Sequence, residues 1–411
     1  MELTQAQSLV FRSLHEAGFE CYLVGGPVRD TLLGRSVHDY DFTTNATPEQ
    51  MLEVFPRAFH MNRFGTVIVP LLGEVFEITT YRSEGKYSDQ RHPDSVEFVK
   101  SLEEDLSRRD FTINAMAMTE DGSVIDPYGG QTDLEQRVVV CVGDSTERFA
   151  EDPLRIMRAV RFAAQLGFSI EWETRQAIIA CAASLKTVSR ERIRDELIKI
   201  LGAGQGAVQG YDELVGLDLL QYILPVTSCY GFLADAAAML RASVDACWQQ
   251  QLAGILVTIK NYDWKVDLKS LKLGAADEQF IRFLITGYGM FDKFQSADTL
   301  TVKMLLQQTH QRAGLEAHLL LEKRARTARL VLLRDRSSWN CRDLEAVEKE
   351  MHRIIDSGEP YLISHLAVNG DDIVAIDERK PGPWVGEKLR ELLKLVIVNP
   401  EMNTREILLS N

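Results

Sequence analysis

Three short stretches of this chain carry side chains that could do chemistry together. The first runs Leu23-Val24-Gly25-Gly26-Pro27-Val28-Arg29-Asp30 and, past Leu33-Gly34, reaches His38-Asp39-Tyr40-Asp41. Two glycines at a strand end let the backbone approach a ligand closely and turn its N–H groups toward phosphate. Arg29, one turn on, would add a guanidinium to the same phosphates. Asp39 and Asp41 stand at i and i+2, so on a strand both carboxylates point to one face. Two carboxylates that close repel unless a hard divalent cation sits between them, and Mg²⁺ with substrate phosphates is the usual answer. Gly-Gly or Asp-x-Asp alone is a weak signal; the two together within one short stretch are a strong one.

The second stretch is Leu106-Ser-Arg108-Arg109-Asp110-Phe-Thr-Ile-Asn114. It reads as a helix start, which could be a plain capped helix. With Arg109 turned to the Gly25-Gly26 loop, it would instead bind nucleotide. The third is Glu151-Asp152-Pro153-Leu154-Arg155-Ile-Met-Arg158-Ala-Val-Arg161-Phe162. Pro153 suits a first helical turn. Asp152, Arg155, Arg158 and Arg161 recur every three residues and are expected along one helical stripe, which lacks compensating charge without an anionic ligand. A carboxylate and a guanidinium together also read bases. Cytosine and adenine both offer an amino donor beside a ring-nitrogen acceptor, whereas uracil and guanine present a carbonyl and a ring N–H there. The wrong base would leave buried groups unpaired. An Asp152/Arg155 pair could therefore accept CTP and ATP and reject UTP and GTP; its bland alternative is an intrahelical ion pair.

Elements that could position these groups follow from the pattern of apolar residues. To about residue 140, short β-branched runs (21–24, 66–69, 75–80, 96–99 and 138–142) alternate with helical stretches at 3–17 and 47–54, the latter opened by Thr47-Pro48-Glu49. Beyond residue 144 helical periodicity dominates. Ser189 is placed to cap a helix stopped by Gly202, and further helices are expected at 233–252, 277–285, 300–334, 341–357 and 385–398. The fold class is α+β: a mixed sheet with helices, followed by an elongated all-helical remainder.

Composition narrows the classes. The 411 residues suggest about two to four domains, and 26% charged with 45% hydrophobic residues is ordinary for a globular chain. No apolar run reaches a membrane span, and the N-terminus lacks a signal-peptide pattern. Six scattered cysteines without a C-x-x-C pair argue against zinc or a disulfide framework and fit the cytoplasm. The net charge of −14 disfavours indiscriminate nucleic-acid binding but permits a basic groove on an acidic body. Residues 301–411 are charge-balanced, and within them Lys323-Arg324-x-Arg326-x-x-Arg329, with Arg334 and Arg336, is the densest basic run. It is either a solvated helix face or a phosphate-contacting strip.

The three stretches, with Asp126-Pro-Tyr-Gly-Gly130…Asp133-Leu134 and Glu191-Arg-Ile-Arg-Asp-Glu196-Leu197, resemble those of the class II tRNA nucleotidyltransferases, the bacterial CCA-adding enzymes. That group shares a polymerase-β-like superfamily with the bacterial poly(A) polymerases. The motif-bearing match covers roughly residues 20–200. The helical remainder, with Lys380-Pro-Gly-Pro-Trp-Val-Gly386, is similar in layout to the shorter Gram-positive-type enzymes. The resemblance implies a catalytic head (1–143), a neck with a nucleotide-templating helix (144–204), a helical body (205–290) and a tRNA-binding tail (291–411). It implies Asp39 and Asp41 as catalytic ligands of Mg²⁺, with Glu77 as a possible third carboxylate. Gly25, Gly26, Arg29, Arg109, Arg158 and Arg161 would contact nucleotide, and Asp152 with Arg155 would serve as an amino-acid template for the base. The segment 126–134 would be a flexible hinge, and 191–197 would steady the templating helix. Pro27 departs from the family's usual smaller residue without removing a needed contact.

The implied partners are tRNA, CTP and ATP, with no DNA and no membrane, in a monomer or homodimer. Three activities stay open: full CCA addition, addition of A only, and poly(A) synthesis. A full-length segment at 81–94 disfavours CC-only addition, since family CC-adding enzymes shorten it. That segment is expected to be mobile and to matter more for the terminal A. A chain ending at Asn411 in a charge-balanced segment disfavours poly(A) synthesis.

Overall fold

The computed structural model describes residues 3–37, 39–61, 64–84, 96–99, 101–228, 233–257, 263–288, 297–309, 312–333, 341–377 and 379–411. Residues 85–94 of the segment expected to govern the terminal A lie outside the described residues.

Helix α1 (Gln5–Glu16) starts at a reciprocal cap. The Thr4 hydroxyl accepts the Gln7 N–H, and the Gln7 side chain accepts the Thr4 N–H. Strand β1 (Cys21–Val24) runs into α2 (Gly26–Leu32), and β2 (Asp41–Thr44) is followed by α3 (Pro48–Val54). The latter begins at Thr47 with the same reciprocal cap and Pro48 in its first turn. Then come β3 (Phe59–His60), β4 (Thr66–Leu71) and β5 (Glu74–Thr80). Two short strands, β6 (Arg82–Glu84) and β7 (Val96–Phe98), pair with each other. Helix α4 (Leu102–Ser107) precedes β8 (Ala117–Met118) and β9 (Val124–Ile125).

Seven of these strands form a mixed sheet in the order β3-β4-β5-β2-β1-β8-β9, in which β2 and β5 run parallel and the other neighbours antiparallel. Alternation assigns its faces. Phe76 and Ile78 are buried while Val75 and Glu77 are exposed. On the closed face Phe11 of α1, Phe42 and Phe76 stack edge to face, with centroids 5.3 and 5.6 Å apart.

The helical part opens with α5 (Gly130–Gln136), the two-residue β10 (Val138–Val139), α6 (Ser145–Glu151) and α7 (Leu154–Leu166). After β11 (Ser169–Ile170), which pairs with β10, come α8 (Trp172–Cys181) and α9 (Arg190–Leu201). Ser189 stands at the N-cap of α9, though its hydroxyl makes no capping bond, and Gly202 ends that helix.

The chain divides into two compact units. One comprises Met1–Leu233 with Tyr262–Leu273, the other Ala234–Asn261 with Gly274–Asn411. The first unit is completed by the helix Trp264–Ser270. Its buried Asp267 accepts the Val226 and Thr227 N–H groups at 3.0 and 2.8 Å and the Thr227 hydroxyl at 2.7 Å. Arg190 donates to the carbonyls of Ser270, Tyr222 and Ile223 at 3.0, 2.5 and 2.6 Å.

Several expected boundaries shift. Arg108-Arg109-Asp110 does not open a helix: α4 ends at Ser107, where Asp105 draws Arg108 and Arg109 back onto its own carboxylate. The strand expected at 138–142 keeps only Val138–Val139, because Cys141 instead bridges to Phe111. The helix expected at 233–252 breaks at a turn holding Ser243 and Asp245, residues that compete for backbone hydrogen bonds. The one expected at 300–334 is interrupted after Thr309, whose hydroxyl bonds back to the Leu305 carbonyl at 2.8 Å. A Cβ at Gly314 would meet the Thr309 carbonyl oxygen at 1.8 Å, so that position needs glycine.

Of the basic run, Lys323 pairs with Glu348 at 2.7 Å and Arg324 donates to Gln250 at 3.2 Å, so both are satisfied internally. The side chains of Arg326, Arg329, Arg334 and Arg336 lie outside the described residues. Cys21, Cys141, Cys181 and Cys247 are free thiols. Among the described residues no helix is long and apolar enough to cross a membrane.

The second unit contains a buried cation. Lys303 is 1% exposed at its side chain; it pairs with Glu359 at 2.7 Å and donates to the Ile397 carbonyl at 3.3 Å. The hydrogen bond from Arg353 holds the Glu359 carboxyl down to about 2, with Lys303 assisting against the cost of burial. A depressed carboxyl stabilises the fold above its unfolded value and loses that contribution as pH falls through the folded one. The parent is therefore expected to lose on the order of 2 kcal/mol from this group between about pH 4.5 and 2, less what solvent takes from the exposed Arg353. Glu359→Gln should lower Tm at pH 7 and flatten that acid limb, read by thermal melts across pH. An unchanged acid limb would show that the pair contributes nothing.

Candidate active site

Every nucleotide- and metal-site candidate except Asp39 and Glu77 lines one cleft of about 580 Å³. Gly25, Gly26, Arg29 and Asp41 come from the sheet side, Arg108, Arg109, Asp110 and Asn114 from the connection after α4, and Asp152, Arg155, Arg158, Arg161 and Phe162 from the start of α7 and the residues before it. A core of Val24, Leu106, Ala115, Ala117 and Val142 packs where β1 and α4 meet and holds these elements together.

Gly25 has φ +74° and caps α2, and a Cβ there would stand 2.8 Å from the Arg109 Nη1. The left-handed φ calls for glycine, and a Cβ would also displace the Arg109 guanidinium. Its N–H bonds the Met116 carbonyl at 3.3 Å, so of the glycine pair it is Gly26 whose amide can turn to a ligand. Arg29 forks onto Asp30 at 3.0 and 2.9 Å and donates to Asn114 Oδ1 at 2.6 Å. Arg109 lies beside Asp105 at 3.6 Å, its Nε has no acceptor, and burial holds its guanidinium below the usual value.

Strand β2 begins at Asp41, so Asp39 precedes it, and the expectation of two carboxylates alternating along one strand fails. They are nonetheless electrostatic neighbours. Loss of water pushes the Asp41 carboxyl up, Arg109 opposes this, and Asp39 adds to it. Glu77, paired in register with Asp41 on β5, is raised by desolvation and then by Asp41 and Asp39. The three carboxylates thus act on one another electrostatically, and of them Asp41 lines the cleft.

Asp152 is not on the arginine helix. It ends α6 in an extended conformation (φ −135°, ψ 98°), and α7 starts two residues later. Its carboxylate receives a two-point contact from Arg192, at 3.2 and 2.8 Å, and caps the Leu154 N–H at 3.1 Å. Arg155 turns away from it, donating to Glu151 at 2.8 Å and to the Arg108 carbonyl at 3.1 Å. The intrahelical Asp152–Arg155 ion pair is therefore not made.

The expectation of an uncompensated arginine stripe is also overturned. Arg158 donates to the buried Asp110 at 2.6 Å, and Arg161 meets Glu196 of α9 at 2.6 Å. Burial works against ionisation of Asp110, but Arg158 and Asn114 hold its carboxyl below the usual range, and Asp110 in turn raises Arg158. Phe162 lies beneath three guanidiniums, those of Arg161, Arg29 and Arg158, at 4.2, 5.2 and 5.4 Å from its centroid.

Asp110 and Phe162 carry no expected site role, and Arg192 and Glu196 carry only the steadying role expected of 191–197. The nearest signal was Phe162 within an arginine repeat, an aromatic that cations can share. At 126–134, Asp126 caps the Gly130 and Gln131 N–H groups at 2.8 Å each, and the Thr112 hydroxyl bonds Asp133 at 2.6 Å. A Cβ at Gly130 would lie 2.3 Å from the Thr112 carbonyl oxygen.

The model of the "Poly A polymerase head domain" matches residues 21–140. Two further family models match, "Probable RNA and SrmB- binding site of polymerase A" over 167–230 and "tRNA nucleotidyltransferase domain 2 putative" over 248–411. The CCA-adding enzyme of Geobacillus kaustophilus is 35% identical over 97% of this chain and 93% of its own length. That of Lactiplantibacillus plantarum is 36% identical over 98% and 95%. The chain belongs to the CCA-adding enzymes. The Bacillus stearothermophilus CCA-adding enzyme, solved in complex with CTP, superposes with a TM-score of 0.76 at 31% identity, covering 99% of this chain and 96% of that one. The CCA-adding family is thus matched along both units, and its class II bacterial type has the mixed-sheet head and helical remainder seen here.

Proposed function

We propose that this CCA-adding enzyme appends C, C and A in turn to the 3′ end of tRNA, taking CTP and ATP and releasing pyrophosphate, in the cytoplasm. The observation that carries the reading is the cleft itself, where crowded carboxylates meet a wall of guanidiniums on a scaffold shared end to end with the family. Residues 1–143 serve as catalytic head, 144–204 as neck, 205–290 as body and 291–411 as tRNA-binding tail.

Asp39 and Asp41, with Glu77 beside them, are assigned to Mg²⁺. Among the described residues no three such side chains are gathered closely enough to cage a metal alone. This suits Mg²⁺, which takes one or two carboxylates and completes its shell with water and substrate phosphate. Loss of water raises Asp41 and Glu77 and neighbouring carboxylates add to it, a cost that a divalent cation relieves. When bound, it supplies charge neutralisation and activation of the attacking hydroxyl. The Gly26 amide, Arg29 and Arg109 bind the triphosphate; the unpaired Arg109 Nε is a donor free for it. Arg158 and Arg161, fixed by Asp110 and Glu196, contact nucleotide with their remaining N–H groups. Asp152 and Arg155 read the base, with Arg192 holding the Asp152 carboxylate and Arg155 exchanging Glu151 for the base.

The test offers tRNA ending before CCA, and tRNA ending in CC, with labelled CTP and ATP separately and together. The reading expects two C additions on the first from CTP alone, one A on the second from ATP alone, and complete ends with both. Addition of A only to the second substrate, or long A tails, would overturn it.

A further inference from the structure

Strand register puts one row of side chains across the open face of the sheet. Asp41 on β2 pairs with Glu77 on β5, Glu77 with Ile68 on β4, and Ile68 with Phe59 on the edge strand β3. Directly paired residues point to the same face, so the row leads from the carboxylates straight to an aromatic ring. Val75 and Pro70, paired with each other, widen it by one step. With strands about 4.8 Å apart, Phe59 lies roughly 14 Å from Asp41. The opposite face is closed by packed phenylalanines, but this one is open: Phe59 is 55% and Val75 65% exposed, and Ile68 and Pro70 are half-buried.

The sheet order says which substrate this face serves. Strand β2 has β1 on one flank and β5 on the other. Gly25, Gly26 and Arg29 follow β1, so the phosphate-binding groups lie on the β1 flank. The acceptor's 3′-hydroxyl must also reach Asp41, and among the described residues the row along β5, β4 and β3 is the exposed approach on its other flank. Its described row of Phe59, Ile68, Pro70 and Val75 is apolar and aromatic, unlike the arginine-lined cleft that suits a triphosphate.

We propose that Phe59, with Ile68 and Val75, forms a stacking platform for the terminal nucleobases of the acceptor RNA, a subsite separate from the nucleotide cleft. The assignment rests on the reaction proposed above. Stacking on an aromatic ring accepts any base because every base has a π-face. That tolerance fits an acceptor whose last base changes with each addition, while base selection stays with the incoming nucleotide.

The experiment measures KM for tRNA and for CTP separately in Phe59→Ala and Phe59→Trp variants of the full chain. Loss of one stacking partner should raise the KM for tRNA roughly tenfold, leave the KM for CTP within twofold, and be reversed by Phe59→Trp. In that variant, titration with tRNA in the absence of nucleotide should quench the added fluorescence relative to the parent. A tRNA KM unchanged in Phe59→Ala, or no quenching, overturns the platform. An equal rise in both KM values overturns it too, since the face would then serve the nucleotide or the fold. A shift in oligomeric state with tRNA binding intact would make the face an interface between copies and also overturn it. Should the parent fail to add C and A to tRNA, the reaction assignment falls, whereas the quenching titration still reads this face by itself.

Discussion

Asp41→Asn should lower nucleotide incorporation at least ~10³-fold while leaving CTP binding within a few-fold of the parent; each tenfold corresponds to about 1.4 kcal/mol of transition-state stabilisation. The substitution keeps size and hydrogen-bonding capacity and removes one charge from a crowded trio, so repulsion with Asp39 and Glu77 falls. The variant should therefore be folded, no less heat-stable than the parent, and inactive. Asp39→Asn should behave alike. Single-turnover incorporation with labelled CTP, beside calorimetric CTP binding, separates chemistry from affinity. Turnover within tenfold of the parent in the Asp41 variant would remove this carboxylate from the catalytic role.

Asp152→Ala should produce the largest change in specificity. Buried directional hydrogen bonds can discriminate bases by roughly 10⁴-fold, whereas shape alone gives about 10²-fold. The expected result is a CTP-to-UTP incorporation ratio that collapses toward the lower figure, with CTP and ATP use both depressed. Arg192 makes the test sharper. It holds both Asp152 oxygens but is not itself assigned to the base, so Arg192→Ala leaves the carboxylate present and badly aimed. That variant should lose rate with only partial loss of selectivity. A CTP-to-UTP ratio unchanged in Asp152→Ala would place base selection elsewhere.

Local signals in the sequence are enough for the α+β class, the first helix, the capped helix at Thr47 and most of the membership of the cleft, because caps, alternation and motif chemistry act over a few residues. What stayed hidden was long-range. The partners of the arginines are Asp110 for Arg158 and Glu196 for Arg161, which spacing along the chain cannot reveal. The three-residue repeat through Pro153 points Asp152 onto the helix, yet its carboxylate is claimed by Arg192. The row from Asp41 to Phe59 depends on the register of four strands, and nothing in 59–60 distinguishes an edge strand from a loop.

The helix Trp264–Ser270 belongs to the first unit but is made after the first 28 residues of the second, Ala234–Asn261. On the ribosome, the unit that holds the cleft cannot finish folding when residue 233 emerges. Until Asp267 arrives, the Val226 and Thr227 amides lack their acceptor, and Arg190 lacks the Ser270 carbonyl. Each buried donor left so costs about 1–3 kcal/mol. The two units therefore cannot be traded between relatives as cassettes with a single splice. A chimera joined at 233 would separate Arg190 from its late-arriving partner, and the exchange that preserves both units needs three junctions, near 233, 262 and 273.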